Sequence, residues 1–254
     1  MFVKYFLEYA FDKLGLAIIA KWRLASLPLS TRMKKIIKEY QIDCVIDVGA
    51  NIGQYGQFLR NEVGYSGLII SFEPDPSNFN CLKEASKHDK QWVVIDYALG
   101  KEVNKLPLNI MENSVFNSFL TPNNIETDQF KDENSVIKIE EVSIRRLDVE
   151  LPELVKNYGF DHVFLKLDTQ GFDLEVFEGA FGCLDKIKGV QTEVSVVPIY
   201  ENMPKFGDTL TLFRSKGFEV CGIYAVSENR FPHAVEFDCL FLPKGLLLEK
   251  FSSS

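Results

Sequence analysis

Residues 44–74 constrain this chain more than any other stretch. Cys44-Val45-Ile46-Asp47-Val48 is a short apolar run suited to a buried strand, and it breaks into the loop Gly49-Ala50-Asn51-Ile52-Gly53. Tyr55, Phe58 and Leu59 follow at helical spacing, and a second apolar strand, Leu68-Ile69-Ile70-Ser71-Phe72, ends on Glu73-Pro74. Strand, glycine loop, helix, strand and acid form the unit with which an open α/β sheet holds a nucleoside. The loop glycines let the backbone approach the ligand, and the helix start offers unpaired N–H groups. A carboxylate at the tip of the second strand can accept both ribose hydroxyls.

The loop also discriminates between nucleosides. A dinucleotide site wants G-x-G-x-x-G, but two positions after Gly49 stands Asn51, and Asp47 lies just before the loop. An acid there repels pyrophosphate and suits a ligand carrying an ammonium and a sulfonium. D-x-G-A-N-x-G resembles the motif of Rossmann-like methyltransferases that use S-adenosylmethionine (SAM). A nicotinamide oxidoreductase is disfavoured by Asn51. A non-catalytic scaffold of the same fold is the other alternative, disfavoured because Gly49, Asn51, Gly53, Glu73 and Asp168 are all retained.

At 254 residues, one α/β domain with a short appendage is the expected size. The formal charge of −8 argues against broad nucleic-acid binding, but it is unevenly spread. Residues 1–40 carry eight Lys/Arg against three acids, a net +5 that leaves −13 for the rest. The five cysteines show no C-x-x-C or zinc spacing, and no signal peptide pattern is present, so a reduced, cytoplasmic protein is expected.

Residues 1–40 read as a helical extension, rich in Phe and Tyr and broken near Pro28; residues 41–245 read as the catalytic domain, and 246–254 as a tail. Strands are expected at 43–48, 67–72, 91–95, 163–168, 189–194, 217–224 and 235–242. Residues 101–148 read as an inserted hairpin, Lys105–Ile110 against Val136–Ile144, with a long polar loop between. The sum is a doubly wound, seven-stranded sheet of the α/β class.

The chain is similar to the FkbM family of SAM-dependent methyltransferases. The resemblance rests on Ile46–Gly53, Phe72–Pro76, Tyr97–Gly100, Leu165-Lys166-Leu167-Asp168-Thr169-Gln170-Gly171 with Glu175 and Glu178–Ala180, and Gln191–Glu193. It covers roughly residues 40–245, and the run from Lys166 is its most specific part. The resemblance implies a seven-stranded O-methyltransferase fold, with the last strand antiparallel. It implies methyl transfer to a hydroxyl, commonly on a sugar or a glycosylated or polyketide product. By position, Asp47, Gly49, Asn51 and Gly53 would line the methionine end of SAM, Glu73 would bind ribose, and Tyr97 and Ala98 would flank adenine. Arg145-Arg146 departs from the family pattern; the pair either meets an anionic substrate or, as favoured here, faces water.

A sugar hydroxyl is a weak acid, so a base or a metal is expected near the methyl. Asp168 closes the fourth strand at the edge where such sheets bind ligands, and it is the candidate base. The bland alternative is a cap for the next helix. Lys166 shares its face and reads as a partner to Asp168 or Glu193, which ends the neighbouring strand. Asp168 and Glu193 are the natural pair for Mg²⁺, though two ligands are few and metal dependence is not favoured. His88, His162 and His233 read as surface residues, as do Glu175 and Glu178. The basic N-terminus reads as a helix pair covering the substrate side or a homodimer interface, with peripheral membrane contact as the alternative.

Overall fold

The computed structural model describes residues 11, 13–15, 19–123, 130–228 and 234–245. Much of the first helical stretch, His233 and the tail 246–254 lie outside them. In chain order the elements are α1 (Leu27–Glu39), β1 (Cys44–Val48), α2 (Gln54–Phe58), β2 (Leu68–Phe72), α3 (Pro76–Ser86), β3 (Trp92–Ile95), β4 (Ala98–Leu99), β5 (Asn104–Met111) and β6 (Val136–Arg145). There follow α4 (Leu147–Tyr158), β7 (Val163–Leu167), α5 (Asp173–Glu178), β8 (Ile187–Ser195), α6 (Phe206–Ser215), β9 (Phe218–Glu228) and β10 (Ala234–Pro243).

Seven strands form one sheet in the order β3-β2-β1-β7-β8-β10-β9. The first five are mutually parallel, while β10 runs antiparallel to both β8 and β9. This is the doubly wound sheet with an antiparallel last strand that the sequence implied. β1, β2 and β7 are buried at every position, as parallel strands covered on both faces must be. Alternation sorts their side chains. Cys44, Ile46, Val48 and Leu165 join Leu147, Leu151, Phe177 and Phe213 from α4, α5 and α6. Val45 and Phe164 face the other way, against Met33 and Ile36 of α1, Leu59 and Leu82. Asp47 and Lys166, one step along from Ile46 and Leu165, pair in register on that second face.

Three details depart from the sequence reading. Pro28 starts a helix rather than breaking one: it sits in the first turn of α1, where a missing N–H costs nothing. The helix α6 between β8 and β9 was not anticipated. After Phe58 the helix α2 widens into a π turn, Leu59–Val63, that ends at Gly64.

The hairpin of β5 and β6 is present, and β6 also pairs in parallel with β4, giving a second sheet of order β4-β6-β5. The segment between β5 and β6 begins with a short turn of helix, Ser114–Phe116. It crosses to the carboxyl edge of the main sheet.

Candidate active site

A cavity of about 360 Å³ lies at the carboxyl edge of β1, β2, β7 and β8, and Ser114, Asn117 and Phe119 help close it. Ser26 and Leu29 of the N-terminal segment line it too. At one end, Gly49 turns the chain with φ +79°, and a β-carbon there would sit 1.9 Å from the Asp168 carbonyl oxygen. Only glycine lets the loop pass so close to the end of β7. Asn51 follows in a left-handed conformation, φ +49°. That conformation aims its N–H at Glu73, 2.7 Å from Oε2, and Asp75 N–H meets Oε1 at 2.9 Å. Gly53 is also left-handed and begins α2.

Burial pushes the Glu73 carboxyl up to about 7, against the pull of those two N–H donors. Asp47 is pushed up to about 6, again by burial, with Lys166 and the Ser71 hydroxyl pulling it down. Ser71 Oγ donates to Asp47 at 3.0 Å and itself accepts Trp92 Nε1–H at 3.0 Å, so Asp47 is held from below. The inserted loop is tied to this end. Asn51 Nδ2 donates to the Ser114 carbonyl at 2.9 Å, and Asn117 Nδ2 to Asp75 at 3.3 Å.

The other end carries the charge. Lys166 Nζ is buried, 2.9 Å from Asp168 Oδ2 and 5.4 Å from the centre of the Tyr55 ring. Burial alone would lower its pKa, but Asp168, Asp238 and Glu193 outweigh it and the ammonium is held above its usual range. Glu193 is raised well above the carboxylate range, first by burial and then by Asp168 and Glu236. Asp168 caps no helix: α5 begins without a side-chain cap bond, and Asp173 instead accepts Thr169 N–H at 2.7 Å. The capping alternative for Asp168 therefore falls.

Every expected site residue but one meets the cavity or its loop. Tyr97 is the exception. Ala98 lines the cavity, but the Tyr97 ring lies against Phe72 under the Arg145 guanidinium, and its hydroxyl donates to Glu150 at 2.8 Å. Tyr97 therefore does not line the cavity, unlike its neighbour Ala98. Arg145 and Arg146 pair with Glu150 and Asp148 at the start of α4 and do not line the cavity; Arg145 is half exposed and Arg146 a third, so the pair faces water as favoured. Glu175 and Glu178 pair with Lys101, His88 is exposed, and His162 lies at the opposite sheet edge, against the Gln41 carbonyl.

Asp168 and Glu193 do converge, but the carboxamide of Gln170 stands between them, and among the described residues no group of three or more His, Cys, Asp or Glu is arranged for a metal. Sequence reasoning missed Gln170, Gln191, Asp238 and Tyr55. Tyr55 donates to Gln191 Oε1 at 2.8 Å, under the lysine. Gln170 and Gln191 stood inside quoted motifs, and only the fold could give them partners.

The donor set fits SAM. Each Glu73 oxygen has one bond from the backbone and a lone pair left for a ribose hydroxyl. Asp47 offers negative charge for an ammonium, and Phe72, Pro74, Ala98, Leu99 and Leu108 offer apolar walls for a base.

A family model described as Methyltransferase FkbM domain matches residues 47–220. No curated protein matches the chain. Similar solved structures include methyltransferase FkbM from Methylobacillus flagellatus KT, at 15% identity and TM-score 0.44, covering 79% of this chain and 43% of that one. A SAM-dependent methyltransferase from Aquifex aeolicus is 14% identical with TM-score 0.42, covering 92% and 97%. Magnesium protoporphyrin IX methyltransferase from Synechocystis PCC 6803, with bound SAM, is 9% identical with TM-score 0.46, covering 94% of each. The chain spans less than half the length of the Methylobacillus protein.

Proposed function

The chain belongs to the FkbM family of methyltransferases, and we propose that it transfers the methyl group of SAM to a hydroxyl oxygen of a sugar, a glycan or a glycosylated small molecule. The observation that carries this reading is Asp168, a carboxylate that opens on the cavity, caps no helix and is oriented by a buried ammonium. Bound SAM would supply an electrophilic methyl on a sulfonium. The rest falls to the chain. Glu73 takes the ribose hydroxyls, Asp47 faces the ammonium, and the Gly49 backbone allows close approach. Asp168 accepts the hydroxyl proton as the oxygen becomes nucleophilic. Lys166 keeps Asp168 Oδ2 fixed, and Oδ1, which also accepts from the Gln170 amide, has a lone pair left for the acceptor side. The cavity then acts mainly by holding oxygen and methyl in line. Polysaccharide or secondary-metabolite biosynthesis is the setting such an acceptor suggests.

The test is product analysis. The protein is incubated with methyl-labelled SAM and a panel of glycosides, and the labelled product is located by mass spectrometry. Label on a sugar oxygen supports the reading. Label on nitrogen or carbon of a non-sugar acceptor, with none on glycosides, overturns it.

A further inference from the structure

Asp168 and Glu193 point into the same part of the cavity, and the group between them is a neutral side chain. Gln170 Nε2 lies 3.2 Å from Asp168 Oδ1 and 2.6 Å from Glu193 Oε2. A primary amide has two N–H bonds, one for each carboxylate. The far end of the amide is fixed as well. Tyr200 donates to Gln170 Oε1 at 2.9 Å, sharing its one hydrogen with the Phe116 carbonyl at 2.7 Å. The amide nitrogen is therefore turned inward.

The backbone of Gln170 is equally committed. Its φ is +52°, a region that residues other than glycine seldom enter. Its carbonyl accepts Ser118 Oγ at 2.6 Å, from the inserted loop. A residue in an unfavoured conformation, held by two separate segments, invites a functional reading.

We propose that Gln170 is a positioning residue for methyl transfer, its amide holding Asp168 and Glu193 together in the place a divalent cation would take. Two carboxyl groups brought this close cannot both carry charge cheaply, and burial with Asp168 beside it favours the neutral form of Glu193. Of the two, Lys166 hydrogen-bonds only Asp168, through Oδ2, and acts on Glu193 by charge alone. The two amide hydrogens bridge the remaining oxygens, as an oxygen-loving cation would. The pair stays convergent without a metal, and the Asp168 oxygen facing the acceptor keeps its direction. The idea rests on the reading of Asp168 as proton acceptor, but its central claim concerns geometry and can be tested apart from turnover.

The experiment titrates Mn²⁺ into the full chain by calorimetry, for wild type, Gln170→Glu and Gln170→Ala, with thermal unfolding as a check on folding. Gln170→Glu adds a third carboxylate where the amide stood, so it should bind Mn²⁺ at least about tenfold tighter than wild type. SAM affinity of Gln170→Ala should stay near wild type. On the acceptor identified by labelling, its kcat should fall by up to about 10²-fold with KM for SAM unchanged. Wild type binding Mn²⁺ as tightly as Gln170→Glu would overturn the proposal, as would full kcat in Gln170→Ala. Should neither variant fold, wild type decides: Mn²⁺ binding that Asp168→Asn abolishes defeats the amide's role, and no such binding supports it. If labelling finds no O-methylated sugar, the Mn²⁺ comparison still stands.

Discussion

Glu73 and Asp168 are both acids at strand ends, yet their surroundings prepare them for different work. Glu73 is 5% exposed and fixed by two backbone donors, which suits a residue that holds. Removing a charged acceptor of this kind costs about 1.5–3 kcal/mol. Glu73→Ala should therefore weaken SAM binding by roughly ten- to a hundredfold. Unchanged affinity by calorimetry would remove Glu73 from the ribose site. The Asp168 side chain is 38% exposed and held by the Lys166 ammonium and the Gln170 amide, which suits a residue that exchanges protons at a fixed position. Asp168→Asn should fold and bind SAM, while turnover falls by about 10²–10⁴. Survival of activity in that variant would end its assignment as base. These acids were legible because a strand pattern fixes where a strand stops. Tyr97 was not, because it lies in a bend after β3, where alternation no longer says which way a side chain points.

At the scale of elements, the first strand–loop–helix unit is the most legible part, and it is also the tightest. Gly49→Ala would drive a β-carbon into the Asp168 carbonyl and force a left-handed residue to carry a side chain. Backbone strain of this sort costs of order 1–3 kcal/mol before any clash. The variant should show a lowered melting temperature and lost SAM binding together; a variant with wild-type melting and affinity would contradict the close approach. α1 belongs to the core as well. Met33 is fully buried, so Met33→Ala should destabilise the fold by about 2–5 kcal/mol in chemical denaturation. A loss below half a unit would mean that α1 is only loosely laid on the sheet. The hairpin was readable from alternation in two segments. The path of the loop between β5 and β6 was not, because its hydrogen bonds to Asn51, Asp75 and Gln170 span gaps of 63, 42 and 52 residues and leave no local pattern.

For the whole molecule, two buried acids set a pH dependence. Glu73 at about 7 and Asp47 at about 6 lie above their ordinary values of 4.5 and 3.8. The folded protein thus holds protons that the unfolded chain has released. These groups favour the fold at low pH, and that contribution is lost as pH rises through 6 to 7. Bound as proposed, SAM would favour their charged forms and act in the opposite sense. Added SAM should raise the melting temperature more at about pH 8 than at about pH 6, and Glu73→Gln should shrink that difference. An equal shift at both values would mean that neither acid answers to the ligand. The sheet order has a consequence for how the molecule is made. β10, later in the chain than β9, slots between β8 and β9. A growing chain that has released β8 can pair it with β7 but must wait for β10 before that strand gains its second neighbour. From Ser195 to Pro243, synthesis takes roughly 2–10 s at about 5–20 residues per second. For that interval one hydrogen-bonding edge of a buried apolar strand stands open, a template on which another nascent chain could pair.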